Sequence, residues 1–361
     1  MSRFNTKKLF FVMANLDGGG AERVLSNIAQ YLSQQDKSLK VSIVLLCQGE
    51  DFYTPEGCEI IRLNSSSVKA GAIKLWQLLR KEKPDAVIST LKHVTFITSL
   101  ICRSLGIAHY SRIANTLSVE TDKRPLWSVL SYLNYKLDRG VIAVSEGVKD
   151  DLVTHYNVSE KKIIVIPNPV NFVQDLDFAE PKIDQEPIEL LFVGRFEPQK
   201  NIDFLLDLVE DNKGLFHLTL IGKGSLKDNI VAQIKEKNIE DKVTVLAPIR
   251  NIETAYKQAD VFVLSSLFEG MPNVMLEALY FGLPVVSYDC PSGPREILTE
   301  DFLGALLGQL NKDAFARSIR EQISSNSSDK ARKRHNHIKA NYNLDSTAKR
   351  YKKAALSHEE N

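Results

Sequence analysis

One alternation constrains this chain more than any other feature. Short apolar, β-rich runs are separated by helical patterns along its whole length, and the scheme restarts midway. The run "KLFFVMA" (8–14) predicts a buried strand. The segment "AERVLSNIAQYL" (21–32) predicts a helix with Val24, Leu25, Ile28, Ala29 and Leu32 on one buried face. Further strands are predicted over 41–47, 59–63, 86–90, 108–114, 140–145 and 163–166. The second series is "IELLFVG" (188–194), "FHLTLIG" (216–222), "VTVLA" (243–247), "DVFVLSS" (260–266) and "PVVSYD" (284–289). Such alternation specifies parallel sheets with helices on both faces. At 361 residues the chain exceeds the usual size of a single core. The expected fold class is therefore α/β, with two doubly wound, Rossmann-like domains. Open parallel sheets bind ligands beyond the carboxyl ends of their strands, so paired domains are expected to face across a ligand-binding cleft.

The stretch "PNPVNFVQDLDFAEPKIDQEP" (167–187) is rich in proline and acids and has little periodicity, which marks a linker. It divides the chain into residues 1–168 and 169–341, with a basic, helical segment from 342 to 361 expected to cross back to the first domain. The net charge of +1 hides an asymmetry: residues 1–168 hold 22 Lys and Arg against 16 Asp and Glu. That surplus is too weak for nucleic acid but suits an anionic substrate or membrane surface. The four cysteines (Cys47, Cys58, Cys102, Cys290) are scattered, which fits reduced thiols better than a disulfide framework or a zinc site. No apolar run reaches bilayer-spanning length, and the opening residues fit a first strand better than a signal peptide. A cytoplasmic location is expected.

Three places carry candidate chemistry. The turn "NLDGGGAER" joins the first strand to the first helix, where backbone amides and the helix dipole favour a phosphate. It reads equally as a tight turn needing positive φ at Gly19 or Gly20. In "FVGRFEPQKN" (192–201), Arg195 and Lys200 follow a strand end within one short loop. They suit a diphosphate, Arg as a fork and Lys as a point charge, or they are simply solvated cations. In "SSLFEGMPNVMLEALYFGLPVV" (265–286), Glu269 falls in a loop and Glu277 on the following helix. Helix-start electrostatics accounts for Glu269, but the apolar residues around Glu277 leave no wholly exposed face for it. His93 follows a first-domain strand, and His335 and His337 are too close in sequence to share a helix face as a metal pair. No Ser/His/Asp arrangement is evident, and Asp150 and Asp151 read as helix-surface charge.

In chain order, "GGAERV", "VIAVSEGVKDDL", "VIPNPV", "FVGRFEPQKN" and the Glu-x7-Glu stretch resemble the retaining nucleotide-sugar glycosyltransferases of family 4, which have the GT-B fold. The likeness covers about residues 8–340. The "GGAERV" opening and "YDCPSGPREI" look most like bacterial enzymes that extend lipid-linked or surface polysaccharides. The resemblance implies an acceptor-binding first domain and a donor-binding second domain. Arg195 and Lys200 would hold the donor diphosphate, and Gly19 and Gly20 would close over it. Glu277 would meet the ribose hydroxyls and Glu269 the sugar, with amides of Gly270, Asn273 and Val274 framing sugar and phosphate. The base would stack in the loop around Pro248 to Arg250. No cofactor or metal is implied beyond the nucleotide sugar, expected to be UDP-linked (GalNAc, GlcNAc, Gal or Glc). A family histidine is replaced by Ile113, with Asn115 retained, so either His93 or a polar neighbour such as Asn115 or Arg112 would serve the donor sugar, or the pocket is differently built. Lys69, Lys74, Arg80, Lys81 and Lys83 around Trp76, with Lys123, Arg124 and Trp127, suggest docking to an anionic inner membrane, or else ordinary amphipathic helices. The expected activity is metal-independent transfer of a sugar to a lipid-linked saccharide in O-antigen, capsule or exopolysaccharide synthesis. The alternative is a nucleotide-sugar epimerase or hydrolase on the same scaffold.

Overall fold

The computed structural model describes residues 6–49, 51–119, 134–172, 174, 176–180 and 186–357. By contacts, Met1–Asn171 with Asn343–Asn361 form one compact unit and Phe172–Tyr342 a second.

The first unit is built on a sheet of seven strands in the order β3-β2-β1-β4-β5-β6-β7. These are β1 (Lys7–Met13), β2 (Leu39–Cys47), β3 (Glu59–Ser65), β4 (Ala86–Thr90), β5 (Ala108–Ile113), β6 (Gly140–Ala143) and β7 (Ile163–Val165). Every neighbouring pair is parallel. The central strand shows why. Leu9, Phe11 and Met13 pack with Val24, Leu25 and Ile28 of the helix Gly20–Gln35, while Phe10 and Val12 pack with Leu75 and Leu79 of the helix Val68–Glu82. A strand apolar on both sides is stable only between two helical layers. Each such fully buried side chain contributes about 1.5–3 kcal/mol. The first core is completed from far along the chain. The helix Leu344–Leu356, capped by Asn343, adds Ala348, Tyr351, Ala355 and Leu356 to it.

The second sheet has the order β10-β9-β8-β11-β12-β13, again wholly parallel. Its strands are β8 (Ile188–Val193), β9 (Phe216–Ile221), β10 (Val243–Leu246), β11 (Val261–Leu264), β12 (Val285–Tyr288) and β13 (Gly304–Leu307). In both sheets the strand order reverses beside the first strand, between β1 and β4 and between β8 and β11. Connections leave in opposite directions there, and the carboxyl ends open a crevice.

The edge strand β13 was not expected. Its "GALL" is short, half-buried and of low β-propensity, so no periodic signal marks it. Two local expectations also change. Positive φ falls on Gly18 (+96°), while Gly19 is extended at φ −64° and caps the first helix. Asp151 is not surface charge: its buried carboxylate accepts the Leu117 and Ser118 amides at 2.9 and 3.3 Å.

Candidate functional site

The predicted residues fall into two groups, one in each unit. In the second unit the loop leaving β8 carries Gly194 and exposed Arg195, then a single 3-10 turn, Pro198–Lys200. Asn201, at φ 48°, turns the chain into the helix Ile202–Asp211. The loop leaving β11 runs through Glu269 to the helix Asn273–Tyr280, with Pro272 at its N-cap. These two loops flank the reversal of strand order. Their backbones are stitched together: Leu267 N–H donates to Gln199 O (2.8 Å), Gln199 Nε2 to Phe268 O (2.7 Å), and Ser265 Oγ to Lys200 O and Asn201 O (3.0 and 2.9 Å).

That stitching brings Lys200 Nζ to 2.5 Å from Glu269 Oε1, with the residues only 9% and 6% exposed. The thiol of buried Cys290 sits close enough to feel both charges. Burial first, and then the Glu269 carboxylate, push its pKa well above the usual thiol range. Glu277 is also buried, and Tyr256 Oη donates to its Oε2 at 2.9 Å. Tyr256 is held in turn by stacking on Phe281, ring centroids 5.4 Å apart and 9° from parallel. The amides of Asn273 and Val274 open the helix between the two glutamates, where the first turn lacks intrahelical acceptors. Gly270 lies beneath a further loop: Ser292 Oγ donates to Gly270 O (3.0 Å), and Pro291 O accepts the Glu269 amide (3.3 Å). A Cβ on Gly293 would meet Pro272 Cδ at 2.7 Å, so glycine is required at that approach. Arg250 is exposed beyond β10, two strands from β8.

In the first unit, Gly19 and Gly20 follow β1, and exposed His93 opens the helix Lys92–Leu105 after the neighbouring β4. Sequence reading missed Glu22, whose buried carboxylate folds back so that a Cβ on Gly19 would lie 2.2 Å from its Oε2. That is the position of a capping-box acid, three residues past the cap. Arg112 does not face an open site. It is buried, donating from Nε to Tyr351 Oη (2.9 Å) and from Nη2 to Asn168 Oδ1 (2.7 Å). A Ser/His/Asp arrangement, not evident in the sequence, is present after all. Ser89 Oγ lies 2.8 Å from His109 Nε2, and His109 Nδ1 lies 2.7 Å from Asp138 Oδ1. All three are buried, and Asp138 also accepts from Ser99 and Ser111, which makes this an internal polar network. Lys123, Arg124 and Trp127 lie outside the described residues.

Comparison with known proteins bears on both halves. A family model for Glycosyltransferase Family 4 matches residues 18–173, and one for Glycosyl transferases group 1 matches 173–343. The chain is a family 4 glycosyltransferase. This glycosyltransferase is 25% identical over 324 residues to the amylovoran biosynthesis glycosyltransferase AmsD of Erwinia amylovora, covering 88% of this chain and 90% of the relative. It is 27% identical over 345 residues to the N-acetylgalactosamine-N,N'-diacetylbacillosaminyl-diphospho-undecaprenol 4-alpha-N-acetylgalactosaminyltransferase of Campylobacter jejuni, covering 91% and 92%. Among solved structures, Anabaena HepE in complex with UDP and glucose superposes with TM-score 0.83 at 16% identity, over 96% of this chain and 98% of that one. The glycosyltransferase therefore has the GT-B fold.

Proposed function

We propose that the enzyme transfers a sugar, with retention of configuration, from a UDP-linked donor to a lipid-linked saccharide in bacterial surface polysaccharide synthesis. The observation that carries this reading is the buried Lys200–Glu269 pair at the strand-order reversal of the second sheet. An ammonium held there by a carboxylate is positioned to turn toward a diphosphate as its bond to sugar breaks. Two unit charges about 4 Å apart at an effective dielectric near 20 attract by about 4 kcal/mol before desolvation. Arg195 adds a forked donor from the same loop, and the amides of Gly270, Asn273 and Val274 meet phosphate and sugar oxygens. Glu269, released from Lys200, takes sugar hydroxyls. Glu277, oriented by Tyr256, takes the ribose hydroxyls.

Charge neutralisation in this reading falls on side chains and amides, so turnover requires no metal. Gly19, Gly20 and His93 are proposed contributors from the first unit, and Arg250 is proposed to contact the base. The acceptor class is supported by the Campylobacter relative, whose name specifies a diphospho-undecaprenol acceptor. A peripheral membrane contact on the cytoplasmic face is part of the same proposal. Lys69, Lys74, Arg80, Lys81 and Lys83 are all exposed along or just past the helix Val68–Glu82 with Ile73, and Arg80 lies 4.9 Å over the Trp76 ring. Among the described residues no helix is long and apolar enough to cross a membrane.

The test is transfer from a panel of UDP- and GDP-sugars to undecaprenyl-diphosphate saccharides in the presence of EDTA. Donor-dependent product is expected. Complete loss in EDTA would remove the metal-independent mechanism, and conversion of the nucleotide sugar with no acceptor would favour epimerisation or hydrolysis.

A further inference from the structure

We infer that the recess at the exits of β2 and β3 is a saccharide subsite that takes a neutral, hydroxyl-rich pyranose. In the proposed transfer reaction this is a unit of the acceptor, so the acceptor role rests on the glycosyl-transfer reading. The recess has a volume of about 360 Å³ and is lined by Cys47, Gln48, Gly49, Asp51, Arg62 and Asn64. It lies at the carboxyl edge of the first sheet, the edge at which open parallel sheets bind ligands.

Its chemistry is specific. Arg62 forks onto Asp51, Nη1 to Oδ1 at 3.2 Å and Nη2 to Oδ2 at 2.5 Å, so the two charges cancel. A recess neutralised from within has little to offer a phosphate. It retains the carboxamides of Gln48 and Asn64, each both donor and acceptor, beside carboxylate oxygens that still hold lone pairs. Sugar hydroxyls also donate and accept, so two carboxamides beside a paired carboxylate can meet adjacent hydroxyls on a ring.

The backbone is shaped to present this set. The register runs Leu45 to Arg62 and then Cys47 to Ser65, so β3 carries one extra residue at its end. Bulges of this kind re-aim side chains at sheet edges. Asn64, at φ 47°, falls in the bulge. The floor is fixed to its neighbours: Cys47 N–H donates to Ala14 O (2.8 Å) and Gln48 N–H to Ser65 O (3.1 Å). Gly49 brings the recess against the turn after β1. A Cβ there would lie 2.5 Å from Asp17 Oδ1, so a sugar in the recess sits beside the Gly19–Gly20 turn.

The experiment uses the full chain and two readouts. Saturation-transfer NMR follows methyl α-glycosides of glucose, galactose, N-acetylglucosamine and N-acetylgalactosamine, and UDP binding is followed by thermal shift. Wild type is expected to give a signal with at least one glycoside. The exposed-residue variants Gln48→Ala and Asn64→Ala are expected to weaken it at least fivefold while keeping the UDP shift. No glycoside signal in wild type, or an unchanged signal in both variants, would overturn the subsite. Glycoside binding that is lost in the variants, with no UDP binding by any form, supports the subsite and removes the transfer reading. Normal UDP binding with no glycoside signal removes the subsite alone.

Discussion

Lys200 and Glu269 stand 69 residues apart in sequence and 2.5 Å apart in space, both almost wholly buried. Burying two charges loses more hydration than their attraction recovers unless the geometry is good, and removing one partner strands the other. Lys200→Ala and Glu269→Ala are each expected to lower folding stability by roughly 3–5 kcal/mol in urea titrations. The double variant Lys200→Met/Glu269→Leu should recover most of that loss. Its kcat/KM should remain down by at least a hundredfold, the scale of losing one transition-state donor. A double variant with near-normal transfer would show that the pair is purely structural.

Tyr256→Phe deletes one hydroxyl and leaves the stack on Phe281 in place. A hydrogen bond to a charged group contributes about 1.5–3 kcal/mol. Calorimetric titration with UDP should therefore give a Kd raised about tenfold or more, and the melting temperature should fall as well, because a buried carboxylate loses a donor. Equal affinity would detach Glu277 from nucleotide recognition.

Gly222 and Gly194 meet backbone to backbone where β9 and β8 end: a Cβ on Gly222 would lie 1.9 Å from Gly194 O. Neither main chain can yield, so Gly222→Ala should cost about 1–3 kcal/mol, the usual penalty of overpacking. It should also displace the Arg195 loop and weaken UDP binding. Gly308→Ala, with nothing within 4 Å of its Cβ, serves as the neutral comparison.

Glu197 clamps the same pair of loops, accepting from the Ser225 amide at 3.0 Å and its hydroxyl at 2.7 Å. The amide bond, and then the hydroxyl bond, hold its pKa below the usual 4.5. For an acid whose folded pKa is lowered, the stabilisation is full above the unfolded value and is lost as pH falls through the folded one. Urea midpoints taken between about pH 7 and pH 3 should drop more steeply in wild type than in Glu197→Gln. Parallel profiles would show that the clamp contributes nothing.

Tyr351→Phe removes the acceptor of Arg112 Nε inside the first core. The stranded buried donor should cost about 1–3 kcal/mol. Thermal melting should register it, although residue 351 is remote from every candidate site residue in sequence.

Much of this was legible in the residues themselves. Twelve of the thirteen described strands announce themselves, the central ones most plainly, because a strand buried on both faces must be apolar throughout, as "KLFFVM" is. The edge strand "GALL" need not be, and it stayed hidden. Lys200 and Glu269 were visible because each lies in a loop that leaves a strand, and Glu277 because its apolar helix neighbours leave it no exposed face; these signals are local. Tyr256 had none, and the capping-box position of Glu22 shows only once Gly19 is known to be the cap. Tyr256 sits in an unremarkable "ETAYKQ", and its tie to Glu277 exists only through the fold. The Ser89–His109–Asp138 chain was invisible for the same reason. Its members come from β4, β5 and the approach to β6, and strand register alone aligns them.

The helix Leu344–Leu356 belongs to the first core although Phe172–Tyr342 intervenes. During synthesis, then, the segment that begins the chain cannot finish folding first. Its apolar seam on the helix Gly20–Gln35 stays uncovered until residues 344–356 have left the ribosome, while the second unit, continuous in sequence, can already close. On the ribosome, the order of completion is the reverse of the order of translation, and the open seam is where a chaperone would find this nascent chain.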